Sequence, residues 1–222
     1  MTVRFFSFVT LCILLAGCTN SLAKRSILVI GDSLGTREGW VYQFQELRGG
    51  GPLVNTALSG NTIGFDYGGS TDRNTLENLT SYLRRGYAEM GRIDEIIILL
   101  GTNDCKAEFA DRHDRIAANL VELLARANAF FSERGQPAPR FVLATPPSFG
   151  PDDKVSPHFR GGRPCVADYA ERLGRLAAER GYCFVDLQRD PGDGIQEFSE
   201  DGIHFSRPGY VAIAEAIRRA CY

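Results

Sequence analysis

The stretch EIIILLGTND, residues 95–104, carries the strongest secondary-structure signal in the chain. Its isoleucines and leucines form a short, continuous apolar run, which is typical of a strand buried on both faces of a parallel sheet. The run stops at Gly101, and polar residues follow at once. A similar run at residues 26–30 ends at Gly31, again with polar residues after it. Both stretches predict a buried strand that leads into a polar loop.

Strands and helices alternate along the rest of the chain. Weaker strand signals lie at residues 53–57, 141–144 and 183–187. Helical patterns lie between and after the strands, at residues 40–48, 71–90, 111–134, 166–180 and 208–220. This alternation predicts an α/β domain with a five-stranded parallel sheet and helices on both faces. Ligands of such sheets bind beyond the carboxyl ends of the strands, so we expect the functional residues just after the strands.

The composition is that of an ordinary folded domain. The 222 residues suit one α/β domain, and 44% of them are hydrophobic, which excludes a disordered, collagen-like or coiled-coil chain. Lysine and arginine (25) nearly balance aspartate and glutamate (27), so we expect no nucleic-acid partner. Only three histidines are present, which argues against a histidine-rich metal site.

The N-terminus has the features of an export signal. Arg4 supplies a positive charge, and the apolar run after it is shorter than the roughly 20 residues of a spanning helix. The sequence LAGC at residues 15–18 resembles a bacterial lipobox, which implies that Cys18 is lipidated and becomes the first mature residue. A plain signal peptide with an incidental cysteine is the alternative.

Three segments follow from this interpretation. We expect a lipoprotein signal peptide at residues 1–17, a tether at residues 18–25 and the folded domain at residues 26–222. Acyl chains such as palmitate would then hold the exported protein at a bacterial membrane, on the periplasmic side or at the cell surface. The oligomeric state is left open by the sequence.

Four short polar motifs follow predicted strands. A serine, Ser33, comes directly after the first strand, and Gly60 lies beyond the second. Asn103 follows the strongest strand, and Asp201 and His204 stand three residues apart near the C-terminus. Each motif alone fits an ordinary turn or helix cap. Together, their placement after strands predicts that the four motifs share one site at one end of the sheet.

These motifs together resemble the signature blocks of the SGNH (GDSL) hydrolases. The matching blocks are Gly31-Asp32-Ser33, Gly60, Gly101-Thr102-Asn103-Asp104 and Asp201-Gly202-Ile203-His204, and the resemblance extends over residues 27–210. It implies a flavodoxin-like three-layer α/β/α sandwich and a serine esterase that needs no metal and no organic cofactor.

The resemblance also assigns roles to individual residues. Ser33 is the implied nucleophile, His204 the general base, and Asp201 the group that orients the histidine. The N–H groups of Ser33 and Gly60 and the side chain of Asn103 are the implied oxyanion hole. Asp32 and Asp104 are expected to hold the loops rather than to react.

Four of the six cysteines remain if Cys12 leaves with the signal and Cys18 carries lipid. Three pairings are possible, and an exported protein can keep disulfides. Cys105 and Cys165 follow strands, which places both at the carboxyl end of the sheet. Cys183 begins a strand and Cys221 ends a helix that descends from that end, so both lie at the opposite end. The topology therefore predicts the pairs Cys105–Cys165 and Cys183–Cys221, with four unpaired thiols as the alternative.

The substrate is the least determined feature. The GTNDCKA sequence at residues 101–107 looks like that of the short-acyl and aryl-ester branch of the family, which includes carbohydrate acetylesterases. The long loop at residues 149–164 is polar, which argues against a deep apolar acyl tunnel. We therefore expect removal of short acyl groups, acetyl foremost, from a small-molecule or glycan ester through an acyl-serine intermediate. The alternatives are a lysophospholipase or thioesterase for longer chains, and a non-catalytic glycan-binding lipoprotein.

Overall fold

The sheet has five parallel strands in the order β2-β1-β3-β4-β5. The protein is described by a computed structural model that covers residues 21–222. The expected signal peptide at residues 1–17 and the expected lipid at Cys18 lie outside these residues. The strands are β1 (Ile27–Gly31), β2 (Leu53–Asn55), β3 (Glu95–Leu99), β4 (Arg140–Ala144) and β5 (Cys183–Val185). The predicted α/β fold with a five-stranded parallel sheet is confirmed.

Five α-helices connect and flank the strands. They are α1 (Trp40–Leu47), α2 (Thr75–Met90), α3 (Ile116–Ser132), α4 (Gly162–Arg180) and α5 (Arg207–Cys221). Three helix starts, those of α2, α3 and α4, differ from the sequence prediction by four or five residues. The helix expected at residues 111–134 begins as a 3-10 helix, Ala107–Arg115, before α3, and α4 starts at Gly162, inside the loop expected to run to residue 164. At α2 the boundary has a clear cause, since the side chain of Asn74 caps the amide of Leu76 at 3.0 Å.

Two hydrophobic cores cover the two faces of the sheet. Alternate side chains of the central strands point to opposite faces, so Leu28 and Ile96 belong to one core while Val29 and Ile97 belong to the other. The first core includes residues of α2, α3 and α4, and the second includes residues of α1 and α5. This is the three-layer arrangement of the α/β/α sandwich.

The strand register brings the functional loops together. Gly31 at the end of β1 pairs with Leu99 of β3, and Leu99 pairs in turn with Ala144 of β4. The three strands therefore end at the same edge of the sheet. The loops that carry Ser33 and Asn103 leave from adjacent points of this edge.

Both predicted disulfides are present. Cys105 is bonded to Cys165 with a Cα–Cα distance of 5.6 Å, and Cys183 is bonded to Cys221 with a Cα–Cα distance of 5.9 Å. The first lies at the carboxyl end of the sheet and joins the loop after β3 to α4. The second joins the first residue of β5 to the last residue of α5, at the opposite end.

Part of the expected tether packs against the domain. Residues Ser21–Lys24 form a 3-10 helix, and Leu22 is buried. The buried guanidinium of Arg48 donates to the carbonyl oxygens of Leu22 at 2.7 Å and Arg25 at 2.6 Å. In the structure, residues 21–25 are thus attached to the folded domain. Within the described chain, no helix is both long enough and apolar enough to cross a membrane.

Candidate active site

Ser33 lies two residues beyond Gly31, the last residue of the buried strand β1. It begins a short 3-10 helix, Ser33–Gly35, whose preceding residue Asp32 accepts a hydrogen bond from the amide of Leu34 at 3.0 Å. This local cap turns the chain sharply at the end of the strand. Ser33 itself is only partly buried, so its hydroxyl faces the solvent side of the edge.

His204 meets this hydroxyl from the other end of the sequence. The Oγ of Ser33 and the Nε2 of His204 are 2.9 Å apart. The Nδ1 of His204 is 2.7 Å from the Oδ2 of Asp201. With Nδ1–H donating to the carboxylate, Nε2 is left to accept the serine proton. The structure therefore brings the three predicted residues Ser33, His204 and Asp201 into one hydrogen-bonded chain.

The carboxylate of Asp201 is held in its charged form. Partial burial acts to raise its pKa, but hydrogen bonds from the His204 ring and from the amides of His204 and Ile203 outweigh this. The pKa of Asp201 consequently lies below its usual value. A carboxylate that stays ionised can stabilise a histidine cation.

A neighbouring loop fixes the position of the Asp201–His204 turn. Gly202 has φ of 77°, and a Cβ there would come within 2.7 Å of Val155, so the turn needs glycine at this point. The amide of Gly150 donates to the carbonyl of Gly202 at 2.8 Å. Gln196 donates its side-chain amide to the same carbonyl at 3.3 Å. The loop that begins at Phe149 thus supports the turn that carries His204, the predicted general base.

The predicted oxyanion donors lie on loops that are tied to the same end of the sheet as Ser33. Gly60 has φ of 85°, and the side chain of Arg73 lies so close over it that a Cβ would be 2.5 Å from a guanidinium nitrogen. Within residues 21–222, no residue accepts a hydrogen bond from the N–H of Ser33 or of Gly60. The side-chain amide of Asn103 donates to the carbonyl of Asn61 at 3.0 Å. Because this amide has two hydrogens, one is left for an oxyanion.

Buried polar residues hold these donors in place. The side-chain amide of Asn61 donates to the carbonyl of Gly31 at 3.0 Å, which ties the Gly60 loop to the end of β1. The carboxylate of Asp104 accepts from the amide of Ile63, at 2.9 Å and 3.0 Å for its two oxygens. Asp104 therefore joins the Asn103 loop to the same segment.

Asp32 and Asp104, which hold the loops around the site, are fully buried. Burial raises the pKa of Asp32 to about 6 and the pKa of Asp104 to about 7. Neither has the exposure of a group that exchanges protons with a substrate. This agrees with the structural role expected for both from the sequence.

Two cavities open beside the serine and the histidine. One, of about 450 Å³, is lined by Ser33, His204 and mostly polar neighbours, with Phe205 and Tyr210 as the aromatic part of its wall. The other, of about 330 Å³, is lined by Asp201, His204, Phe205 and three further residues. Both are within the size range of small-molecule sites.

The aromatic residues of the loops near this edge divide into two groups. Phe65 and Phe149 are buried and pack the loops, while Tyr67 and Phe159 are partly buried. Lys106 lies over both of the latter, with its Nζ 4.7 Å from the Tyr67 ring centre and 5.5 Å from that of Phe159. Burial of Lys106 lowers its pKa. These rings pack the loops and hold a lysine.

The described part of the chain contains no set of side chains arranged as metal ligands. Among residues 21–222, no group of three or more histidine, cysteine, aspartate or glutamate side chains is placed to hold a metal ion. The observed arrangement consists of a hydroxyl, an imidazole, a carboxylate and several free N–H groups. Such a set can transfer an acyl group through the serine.

Sequence reasoning missed the residues that support the predicted ones. Asn61 stands next to Gly60 but belongs to no motif used in the prediction, and Gly150 and Gln196 carry no local signal at all. Asn61 contacts Asn103, which lies 42 positions away. Gly150 and Gln196 both contact Gly202, which lies 52 and 6 positions away from them. Such contacts exist only once the chain has folded.

Comparison with known families gives one match over most of the chain. The model of the GDSL-like lipase/acylhydrolase family matches residues 17–212. This span contains Ser33, Gly60, Asn103, Asp201 and His204. No curated protein sequence matches the chain.

Solved structures share the fold at low sequence identity. An aryl esterase from M. smegmatis is 26% identical with a TM-score of 0.70, over 88% of this chain and 99% of its own. A carbohydrate acetylesterase from Sinorhizobium meliloti is 24% identical with a TM-score of 0.71, over 88% and 97%. A catalytic mutant of an acetylxylan esterase from Geobacillus stearothermophilus is 19% identical with a TM-score of 0.61, over 88% and 93%.

Proposed function

The chain belongs to the GDSL-like lipase/acylhydrolase family and is an ester hydrolase, and we propose that it removes short acyl groups, acetyl foremost, from carbohydrate. The reaction would pass through an acyl group on Ser33. The observation that carries this proposal is the hydrogen-bonded chain Ser33–His204–Asp201, with distances of 2.9 Å and 2.7 Å.

The first half of the reaction forms the acyl-serine. The Oγ of Ser33 attacks the ester carbonyl carbon while Nε2 of His204 takes the hydroxyl proton. The carbonyl oxygen becomes an oxyanion in the tetrahedral intermediate. When the intermediate collapses, the bond to the alcohol breaks, and the alcohol oxygen takes the proton back from His204. The acyl group is then bonded to Ser33.

The second half repeats these steps with water. His204 removes a proton from a water molecule, whose oxygen attacks the acyl carbon. Collapse of the second intermediate releases the carboxylic acid and returns the proton to Ser33. Asp201 keeps Nε2 unprotonated at rest and stabilises the histidine cation in both halves.

The developing oxyanion would be bound by three donors. The N–H groups of Ser33 and Gly60 and the free amide hydrogen of Asn103 are the candidates, because no described residue accepts from the first two. Donors fixed before the reaction cost no reorganisation when charge develops. The Asn61 and Asp104 contacts supply that fixation.

Two observations support a short acyl group and a sugar. The lining of the larger cavity is mostly polar, with serine, threonine and charged residues beside the two aromatic ones. Two of the structural neighbours are, by name, a carbohydrate acetylesterase and an acetylxylan esterase. A polar cavity bearing aromatic rings suits a sugar better than a long acyl chain.

The function can be tested with a series of p-nitrophenyl esters. The chain from Thr19 onward should hydrolyse the acetate and lose activity steeply as the acyl chain lengthens. Ser33→Ala should abolish the reaction, and mass spectrometry of quenched wild-type protein should find an acetyl group on the peptide that contains Ser33. A preference for long chains would contradict the short-acyl proposal, and full activity of a folded Ser33→Ala variant would contradict the mechanism.

We also propose that the protein is exported and anchored through lipid at Cys18. The support is the lipobox-like sequence and the place where the chain enters the domain. Arg25 donates to Glu95, the first residue of β3, at 2.9 Å, so the N-terminal segment joins the sheet at the end opposite Ser33. An anchor there would leave the active site facing away from the membrane. Cys18→Ser should move the protein from the membrane fraction to the soluble fraction, and unchanged membrane association would contradict the proposal.

A further inference from the structure

Two arginines form part of the wall of the 450 Å³ cavity that adjoins the nucleophile. Arg37 and Arg207 both line it together with Ser33 and His204. Neither guanidinium forms an ion pair or a hydrogen bond with any of the described residues. Glu38 is the one carboxylate on this wall, so two cations face one anion. The residues that line this cavity therefore carry one more positive charge than negative charge.

The backbone at Arg37 is unusual for an arginine. Arg37 has φ of 50° and is the single non-glycine residue with positive φ among those described. It occupies the first central position of a turn that is closed by the Gly39 amide and the Thr36 carbonyl at 2.8 Å. Glycine or asparagine would fit this position at lower cost. A strained residue at the edge of a reaction site points to a use for its side chain.

Arg207 is also placed against a local preference. It is the first residue of α5, where the helix dipole presents its positive end. A cation at this end is unfavourable, whereas an anion is favoured. Both guanidiniums thus add positive potential to one cavity at positions where the backbone does not favour them.

We propose that Arg37 and Arg207 bind an anionic group on the alcohol half of the ester, so that the substrates are acetyl esters of acidic sugars. This inference rests on the proposed function. An acetyl group is uncharged and small, so a group that complements the arginines must belong to the alcohol. The planar guanidinium matches a carboxylate or a phosphate with two parallel hydrogen bonds.

The test compares two esters that differ only in charge. One is O-acetyl glucuronic acid, and the other is its uncharged methyl ester. We expect wild-type kcat/KM to be higher for the acid than for the methyl ester, and Arg37→Gln/Arg207→Gln to lower this preference by roughly tenfold. Raising the salt concentration should weaken the wild-type preference because the arginines are exposed.

The matched control removes the same charge elsewhere. Arg84 and Arg218 are exposed and lie in the parts of α2 and α5 that face the other end of the sheet. Arg84→Gln/Arg218→Gln should keep the wild-type preference. Arg37→Gly, which relieves the unusual backbone, should melt at a higher temperature than wild type and still lose preference for the acid. A higher melting temperature together with a lost preference for the acid would exclude misfolding as the cause of that loss.

A second substrate pair distinguishes a carboxylate from a phosphate. Acetylglycerol phosphate is compared with uncharged monoacetylglycerol. If the arginine-dependent preference appears only in this pair, the anion is a phosphate on a glycerol ester rather than a sugar carboxylate. If wild type shows no preference in either pair, or the Arg37/Arg207 variant keeps it, the inference is wrong. Hydrolysis of p-nitrophenyl acetate by wild type and not by Ser33→Ala would show that the proposed function survives such a result.

Discussion

The two halves of the candidate active site are built in different ways. On the oxyanion side, Asp32, Asn61, Asn103 and Asp104 are all buried, and they bind backbone groups up to 42 positions away. On the base side, Asp201 and His204 are exposed, with 54% and 44% of their side chains accessible. Asp201 and His204 hold each other within one turn of four residues. The exposed base side is open to substrate and water, whereas the buried oxyanion side fixes its donors before the charge develops.

The largest expected effect separates activity from stability on the base side. His204→Ala should lower kcat by roughly 1,000- to 10,000-fold because the serine loses its base. The free energy of unfolding should change by less than about 0.5 kcal/mol, since the side chain is exposed. Steady-state kinetics and urea denaturation measure the two quantities. His158→Ala, at an exposed histidine outside the site, is the control and should change neither. A large loss of stability in His204→Ala would mean that the base loop is also structural.

The two disulfides test whether the end of the sheet at which a disulfide lies decides its effect on activity. They close loops with sequence separations of 60 and 38 residues. Removing either one should cost about 4 kcal/mol of stability, by chain entropy. Only Cys105→Ala/Cys165→Ala should also lower the activity of the folded protein, because Cys105 follows the Asn103 loop. Equal activity losses in Cys183→Ala/Cys221→Ala would contradict a rigid oxyanion side.

Asn103→Ala should affect both activity and stability. Loss of one oxyanion donor typically lowers kcat about 100- to 1,000-fold. Loss of the buried hydrogen bond to Asn61 should reduce the free energy of unfolding by about 1–2 kcal/mol. Asn128 makes a similar bond to Leu124 within α3, at 2.9 Å, away from the site. Asn128→Ala therefore serves as the control that keeps activity. A wild-type kcat in Asn103→Ala would show that the Asn103 side chain is not an oxyanion donor.

The two sides should also respond to pH in opposite directions. Asp104, with its pKa raised by burial to about 7, holds a proton that the unfolded chain releases near 3.8. Its contribution to stability is therefore complete below about pH 4 and is lost as the pH rises through 7. Asp201 has a lowered pKa, so its contribution is present above the unfolded value and is lost as the pH falls.

Asp104→Asn is the variant that measures this effect. Asparagine imitates the protonated carboxyl, so the stability of the variant should not fall between pH 4 and pH 8 through this group. The wild type should lose about 4 kcal/mol relative to the variant over the same range. Denaturant titrations at the two pH values give this difference. A constant difference would mean that Asp104 is ionised throughout.

The regular elements were predictable because their signals are local. The apolar runs around Val29 and Ile97 predicted central strands, and the alternation with helices predicted the sheet and the edge at which the loops meet. The shared edge in turn allowed the cysteine pairs to be predicted from topology. The start of α4 was missed because Gly162 and Pro164 resemble a loop, whereas the Cys105–Cys165 bond attaches this first turn to the core.

The roles predicted for the serine, histidine, aspartate and donor residues came from the resemblance of their motifs to the SGNH hydrolases. The sequence alone determined the α/β class and the edge of the sheet at which those residues lie. It could do so because strand and helix periodicity and short motifs are encoded within a few residues. Only the tertiary structure decided the support: Asn61 under Asn103, Gly150 and Gln196 behind Gly202, and two arginines on the wall of one cavity. Apart from the contact between Gln196 and Gly202, these contacts join residues that are distant along the chain, and folding alone brings them within hydrogen-bonding or electrostatic range.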